Sequence, residues 1–366
     1  MNHLFSALST SSDTSIDIVE STGCPVSLAR TDRDPGPILR IGVVQHAWDA
    51  DAERLAATLH AMIGAAARRG ARIVFLPEIT LLRYPADGLP AGRADALAED
   101  LETGPSVALA RRVAADHDVH VHISVYRRDG GVDGLGSNTA VIVAPDGRIV
   151  AATDKLHIPV TAGYYEDHYF RPGPASAATA AAEPAPRPTD DPYPVHTVDA
   201  LDGAAFGLPT CWDEWFPEVA RSYALRGADV VVYPTAIGSE PDHPEFDTRP
   251  LWQQVIVGNG IANGLFMVVP NRTGAEVRPD GTPGNTFYGS SFVSDPYGRV
   301  LVQAPRDRAA VLVTDLDLAQ RRDWLDLFPL LRTRRPDTYA RLTAPVDAAQ
   351  PYGSPAPRPC VAPTAS

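Results

Sequence analysis

Cysteine is scarce in this chain: 366 residues hold only Cys24, Cys211 and Cys360. Three thiols so far apart make no paired disulfide framework, and they fit a reducing, cytoplasmic setting. Positive charge is also short, with 32 Lys and Arg against 45 Asp and Glu and a formal net charge of -13. A protein that tracks a nucleic-acid backbone needs a basic face, so that role is excluded. The small basic run "RTRRP" at 332–336 reads instead as a solvated or interface loop. No apolar stretch approaches the roughly 18 residues of a membrane span. The N-terminus lacks the basic start and long apolar core of a secretory signal. Glycine loops that cradle phosphate, of the Walker or GxGxxG type, do not occur. His120 and His122 stand two apart with His117 nearby. No third ligand at metal-site spacing joins them, so they read as alternate positions on a half-exposed strand.

The chain is 44% hydrophobic, enough for one large domain or two ordinary ones. Residues 1–37 are polar and read as a mobile extension. Residues 343–366 hold six prolines and read as an extended tail. Within the body, 173–195 is a Pro/Ala-rich stretch without usable period, expected to be an exposed insertion. The text is otherwise regular. "ILRIGVVQ" at 38–45 predicts a buried strand, and Leu55, Leu59, Met62, Ile63 and Ala66 then recur at helical spacing up to Gly70. "RIVFLPE" predicts a strand ending at Glu78, followed by a helix over 106–118 and the strand "VHVHISVYRR". A hairpin turns at Asp146-Gly147. The order then repeats: the strand "AAFGLPTC", the helix "PEVARSYALRG", the strand "ADVVVYPTA", a helix over 248–263, the strand "LFMVVPN" and a hairpin turning at Tyr297-Gly298. The two hairpins, "AVIVAPDGRIVAA" and "SFVSDPYGRVLVQ", resemble each other. Alternating strands and helices predict sheets covered by helices, and the quasi-repeat predicts two such layers packed sheet to sheet.

Glu78, Lys155 and Cys211 each directly follow a predicted strand, in "IVFLPE", "RIVAATDK" and "AAFGLPTC". Strand carboxyl ends form the functional crevice in sheets of this kind, so three different reactive groups can converge there. Taken singly, each has a plainer reading. Cys211 is a buried small hydrophobe, Glu78 a loop carboxylate and Lys155 a surface lysine. A thiol near pKa 8.5 also needs a base or a cation before it can act as a nucleophile. Pro217 and Gly227 bracket the next helix in the expected Pro-first, Gly-last order, but that helix begins several residues beyond the cysteine.

The three motifs together resemble the carbon–nitrogen hydrolase (nitrilase) superfamily. They stand here as "VFLPE" with Glu78, "DKLHIP" with Lys155 and "CWDEWFPEVAR" with Cys211. "GYYEDHYFRPG" adds Glu166, eleven residues after the lysine. "YPTAIGSEP", "VPNRTGAE", "TFYGSSFVSDPYGRV" and "RRDWLDLFPLLRTRRPDTY" extend the likeness, which covers residues 38–342. Within the superfamily the motifs look most like the N-carbamoylputrescine amidase and β-ureidopropionase groups. Two departures stand out. Glu214 occupies a position where the putrescine-type group typically has Gln, and Asn259 one where it typically has His.

The resemblance implies a four-layer α-β-β-α sandwich of two mixed sheets with outer helices. It implies acyl transfer without metal or organic cofactor: Cys211 as nucleophile, Glu78 as base, Lys155 and the Trp212 backbone N–H as oxyanion donors, and Glu166 fixing the lysine and the water. Tyr84, Tyr164, Tyr165, Trp212, Glu214, Trp215 and Glu240 are candidates to line the pocket, Glu214 or Glu240 meeting a distal ammonium. Core packing is the alternative for the aromatics. The expected substrate is a small N-carbamoyl amine or related ureide. An ω-amidase, aliphatic amidase or nitrilase reaction on the same triad is the alternative, followed by an acyltransferase or a silent scaffold. Family members usually form homo-oligomers, dimers or larger.

Overall fold

The computed structural model describes residues 16–31, 36–174 and 191–353. The chain divides into Met1–Phe328 and Pro329–Ser366. In the first unit, a seven-stranded sheet runs in the order Asp17–Glu20, Ala310–Asp317, Ile38–Gln45, Ile73–Phe75, His120–Arg127, Ser137–Val143, Ile149–Asp154. A six-stranded sheet runs in the order Val300–Gln303, Phe292–Ser294, Phe266–Val269, Val230–Val232, Ala204–Gly207, Val195–Val198.

The predicted quasi-repeat is a repeat of topology. In each sheet three strands lie parallel: 38–45, 73–75 and 120–127 in the first, 204–207, 230–232 and 266–269 in the second. Each trio then continues into an antiparallel hairpin, 137–154 or 292–303. Each also carries an antiparallel neighbour on its first strand. Strand alternation sends Leu39, Ile41, Val43, Ile73 and Phe75 to one face, where they meet Phe206, Val230, Val232, Phe266 and Val268 of the other sheet in one buried cluster.

The opposite face of the first sheet is covered by helices α1 (Ala52–Ala67) and α2 (Pro105–His117), whose Leu59, Met62, Ile63 and Val113 pack on Val44, Val74 and Val121. Asp51 caps α1 by accepting the N–H groups of Glu53 and Arg54. The second sheet has α3 (Pro217–Leu225) and α4 (Arg249–Asn263), with α5 (Ala319–Leu327) tied to α4 by the Trp324 indole N–H on Ile261 O at 2.9 Å. Gly42 and Gly207 let the first helix of each half approach its strand. A Cβ at Gly42 would lie 2.7 Å from Ala66 Cβ, and one at Gly207 would lie 2.5 Å from the Tyr223 ring. The result is the expected four-layer α-β-β-α sandwich.

The segment read as a mobile extension is corrected in part. Asp17–Glu20 pairs in parallel with Ala310–Val313 as an edge strand. Ser27 reaches Tyr297 and Asp323, and Arg30 reaches Asp317 and Asp323. Ile18 packs on the helix side of the sheet and Val19 on the inner side, so this short strand gains cover on both faces. Most of the 173–195 insertion lies outside the described residues, and sheet structure resumes at Val195. Residues 1–15 and 354–366 also lie outside them. In the second unit, 3₁₀ turns occupy Pro336–Thr338 and Ala340–Thr343, and no described residue of it is buried. Among the described residues no helix is long and apolar enough to cross a membrane.

Candidate active site

Strand 73–75 ends in Leu76 and Pro77, and Glu78 follows fully buried. The next residue, Ile79, adopts φ 45°. That is a genuine outlier for a β-branched side chain, with a cost of about 1–3 kcal/mol. Three contacts from neighbouring strands hold the turn. Ser124 Oγ accepts the Ile79 N–H at 2.9 Å, Asn138 Nδ2 donates to Glu78 Oε1 at 2.7 Å, and Ser124 Oγ donates to Asn138 Oδ1 at 3.1 Å.

Lys155 follows strand 149–154 and is also fully buried. Its Nζ donates to Glu78 Oε1 at 2.9 Å and to Glu166 Oε2 at 2.6 Å. Glu166 begins a 3₁₀ turn, and its other oxygen accepts the Tyr84 hydroxyl at 2.7 Å. Burial alone would lower the Lys155 pKa, but the Glu166 and Glu78 carboxylates hold it well above its ordinary value. Burial pushes the Glu166 carboxyl up to about 7, with Lys155 pulling it down and Glu78 pushing it further up.

Cys211 stands at the carboxyl end of the second sheet, 7% exposed and at φ 40°. Its N–H is donated to Pro234 O at 3.0 Å, which fixes it over the end of strand 230–232. It opens a 3₁₀ turn, Cys211–Trp215, so the thiol does not sit at the start of α3. Asp213 within that turn accepts the Thr210 N–H at 3.0 Å, the Leu156 N–H at 3.3 Å and the His157 N–H at 2.9 Å. The His157 ring donates to it at 2.7 Å. One carboxylate thereby ties the cysteine turn to the lysine loop. Burial raises the Cys211 thiol well above its ordinary pKa, Glu78 adds to this and Lys155 opposes it. Glu78 Oε2 is buried and has no hydrogen-bond partner. The buried Glu78 and Lys155 groups thus both act electrostatically on the buried Cys211 thiol, in surroundings where a change of charge is strongly felt.

Glu214 is fully buried, with Thr235 Oγ1 donating to Oε2 at 3.3 Å and Oε1 unpartnered. Burial pushes its pKa well above the ordinary value, against the Trp252 side chain beside it. Asn259 donates to the Glu214 backbone oxygen at 3.3 Å, so the two departures from the putrescine-type pattern touch each other. Glu240 is half-buried and accepts from Thr248 at 3.3 Å; its charge acts on Tyr164, whose ring lies 6.0 Å from that of Tyr84. Trp212 and Trp215 are half-buried, 6.4 Å apart. Trp212 faces a cavity of about 600 Å³ with His157 and Phe216. Tyr165 turns to a different cavity of about 1010 Å³, shared with Tyr169 and Arg278.

His120 and His122 are both buried, and the His122 ring lies tilted against Phe75, 5.5 Å between centroids, with both ring nitrogens unpartnered. His117 lies instead beside His60, 4.7 Å away. Among the described residues no group of three or more His, Cys, Asp or Glu side chains is placed to hold a metal ion. Sequence reasoning missed Asn138, Asp213, Thr235, Trp252, Arg272 and Tyr288. Tyr288 is buried, and Glu214 and Cys211 act on its hydroxyl. The signal for Arg272 and Tyr288 was present, since they lie in the motifs "VPNRTGAE" and "TFYGSSF".

The chain is similar to known proteins along most of its length. The carbon-nitrogen hydrolase family model matches residues 40–326. The chain is 34% identical to a citrullinase of Francisella tularensis over 82% of this chain and 96% of that one. It is 32% identical to an N-carbamoylputrescine amidase of Arabidopsis thaliana over 79% and 88%. The crystal structure of a carbon-nitrogen hydrolase from Helicobacter pylori G27 superposes with a TM-score of 0.73 at 30% identity, covering 84% of this chain and 99% of that one. The chain belongs to the carbon–nitrogen hydrolase family.

Proposed function

We propose that this carbon–nitrogen hydrolase cleaves an N-carbamoyl amine or a related ureide through a covalent intermediate on Cys211. One observation supports the reading: Glu78 has Oε1 held by Lys155 and Asn138 while Oε2 is buried and unpartnered, and the charges of Glu78 and Lys155 both act on the Cys211 thiol. Cys211 Sγ attacks the ureide carbonyl carbon as Glu78 Oε2 takes the thiol proton. The oxyanion so formed meets Lys155 Nζ and the Trp212 backbone N–H. Such preorganised donors are worth about 2.7–4 kcal/mol each. The C–N bond breaks, and Glu78 returns the proton to the leaving nitrogen, a role worth roughly 10²–10⁴-fold. Water, deprotonated by Glu78, then opens the thioester-type intermediate and restores the thiol. A ureide yields amine, ammonia and carbon dioxide. The two relatives, one named for citrulline and one for N-carbamoylputrescine, support a carbamoylated substrate. Glu240 at the half-buried rim is suited to a distal ammonium.

The test is ammonia release across N-carbamoyl amines, N-carbamoyl amino acids and ω-amino amides, with mass spectrometry of the protein after brief exposure. The expected result is ammonia with carbon dioxide and an adduct on Cys211 that is absent in Cys211→Ala. Ammonia without carbon dioxide would move the assignment to amides or nitriles. No adduct and no ammonia from any of them would sink the hydrolase mechanism.

A further inference from the structure

A fully buried arginine that touches none of the reacting groups stands behind the site. Arg272 is 0% exposed and projects from the loop after strand 266–269 of the second sheet. Its guanidinium spans the turn that carries Glu78. Nε and Nη2 donate to Glu78 O at 3.1 and 3.0 Å, and Nη2 also donates to the carbonyls of Ile79 and Leu82. These three carbonyls flank or belong to Ile79, the residue held at φ 45°. Nη1 donates to Glu276 Oε1 at 2.6 Å, which balances the buried charge. Glu276 Oε2 in turn accepts the Tyr84 N–H at 2.8 Å, and the Tyr84 hydroxyl binds Glu166 at 2.7 Å. The root of the arginine is pinned too. Asn271 donates to Ile237 O at 3.1 Å and Gly289 O at 2.9 Å, and its Oδ1 accepts the Arg272 N–H at 2.9 Å.

A buried ion pair is weak evidence for stability, because apolar residues of like volume usually serve as well. What apolar residues cannot do is grip three carbonyl oxygens of one strained turn. Lysine cannot do so either, since a single ammonium lacks the planar fork. The neighbouring His46 imidazole adds no competing cation: burial first, and Arg272 second, hold its pKa down near 4.

We infer that Arg272, with Glu276, is a positioning residue for the base: it holds the Glu78 turn from the second sheet and, through Tyr84, steadies Glu166. This rests on the function proposed above for Glu78 and Cys211, but not on the substrate class.

The test is therefore made with an activated ester. The burst of p-nitrophenolate from p-nitrophenyl acetate, less the Cys211→Ala blank, gives the acylation rate per folded chain. Arg272→Lys should slow it about 10²-fold, the size expected of a misplaced reacting group. Glu276→Gln should slow it by roughly a tenth of that factor. In a Glu78→Gln background, Arg272→Lys should have almost no further effect, because the two changes act through one group. Arg299→Lys, at the pair of half-buried Arg299 with buried Asp295 in the distant hairpin, serves as the control for a weakened ion pair and should leave the rate unchanged. An equal loss with and without Glu78, or full acylation per folded chain in both Arg272→Lys and Glu276→Gln, would overturn the positioning role. If Arg272→Lys does not fold, Glu276→Gln with and without Glu78→Gln decides in the same way. A wild-type thiol that never acylates would overturn the catalytic reading along with it, whereas a failed ureide screen with a normal burst would leave this inference standing.

Discussion

Lys155 Nζ lies 2.6 Å from Glu166 Oε2, and neither side chain is more than 1% exposed. With Glu78 on its other side, one ammonium faces two buried carboxyl groups. Glu166 responds with a pKa raised by burial from 4.5 to about 7. Between those values the folded protein keeps a proton that the unfolded chain has released, so this residue makes stability fall as pH rises from about 4.5 to about 7. Glu166→Gln should remove that component, roughly 3 kcal/mol across the window. Urea unfolding at pH 5 and pH 8 measures it. Equal pH dependence in wild type and variant would refute the assignment, and kcat should fall in the variant because the lysine loses its anchor.

His122 titrates with the opposite sign. Its imidazole is buried against Phe75 without polar partners, and burial holds its pKa down near 3. The unfolded chain binds the proton first, so stability drops as pH falls below about 6.5 toward 3. His122→Leu keeps the volume and discards the proton. The variant should match wild type near pH 7 and exceed it by about 2 kcal/mol at pH 5. Thermal melts at the two pH values suffice, and a variant less stable at pH 5 than wild type would count against the prediction.

Glu214→Gln tests the departure from the putrescine-type motif. Burial already keeps this carboxyl protonated far above the ordinary range, so the exchange changes shape and charge little. Acylation should stay within a few-fold of wild type. Should Glu214 Oε1 meet the substrate, the ratio of kcat/KM between N-carbamoyl amines and N-carbamoyl amino acids should shift about tenfold or more, the worth of one hydrogen bond to a charged group. An unchanged ratio would assign Glu214 to packing around Thr235 and Asn259.

Gly207→Ala should destabilise by about 1–3 kcal/mol through overpacking. Its Cβ would fall 2.5 Å from the Tyr223 ring, and α3 must retreat to make room. Chemical denaturation gives the change directly. A neutral effect would mean that α3 floats more freely on its sheet than its close packing indicates.

Why some of this was legible and some was not follows from range. Glu78, Lys155 and Cys211 each follow a predicted strand, so a short window locates them at strand ends, and the strand–helix repeat predicts two layered units packed sheet to sheet, which the family resemblance extends to the four-layer sandwich. Asp17–Glu20 escapes such a window because four residues with acidic ends become a strand only beside Ala310–Val313, far along the chain. Arg272 reads by polarity as a surface residue, and only the assembled fold shows that three carbonyls and Glu276 receive it in the interior. Asn138 is hidden for the same reason, since its partner Glu78 lies 60 residues earlier.

The Asp213 carboxylate reaches backbone N–H groups on both sides of the seam between the two halves, at Thr210 beside Cys211 and at Leu156 and His157 beside Lys155. Cys211 and Lys155 therefore ride on a common frame. Cys211 cannot be drawn away from Lys155 without breaking that grip. Their alignment is settled once, when the chain folds, and the entropy of bringing them together is not met again afterwards.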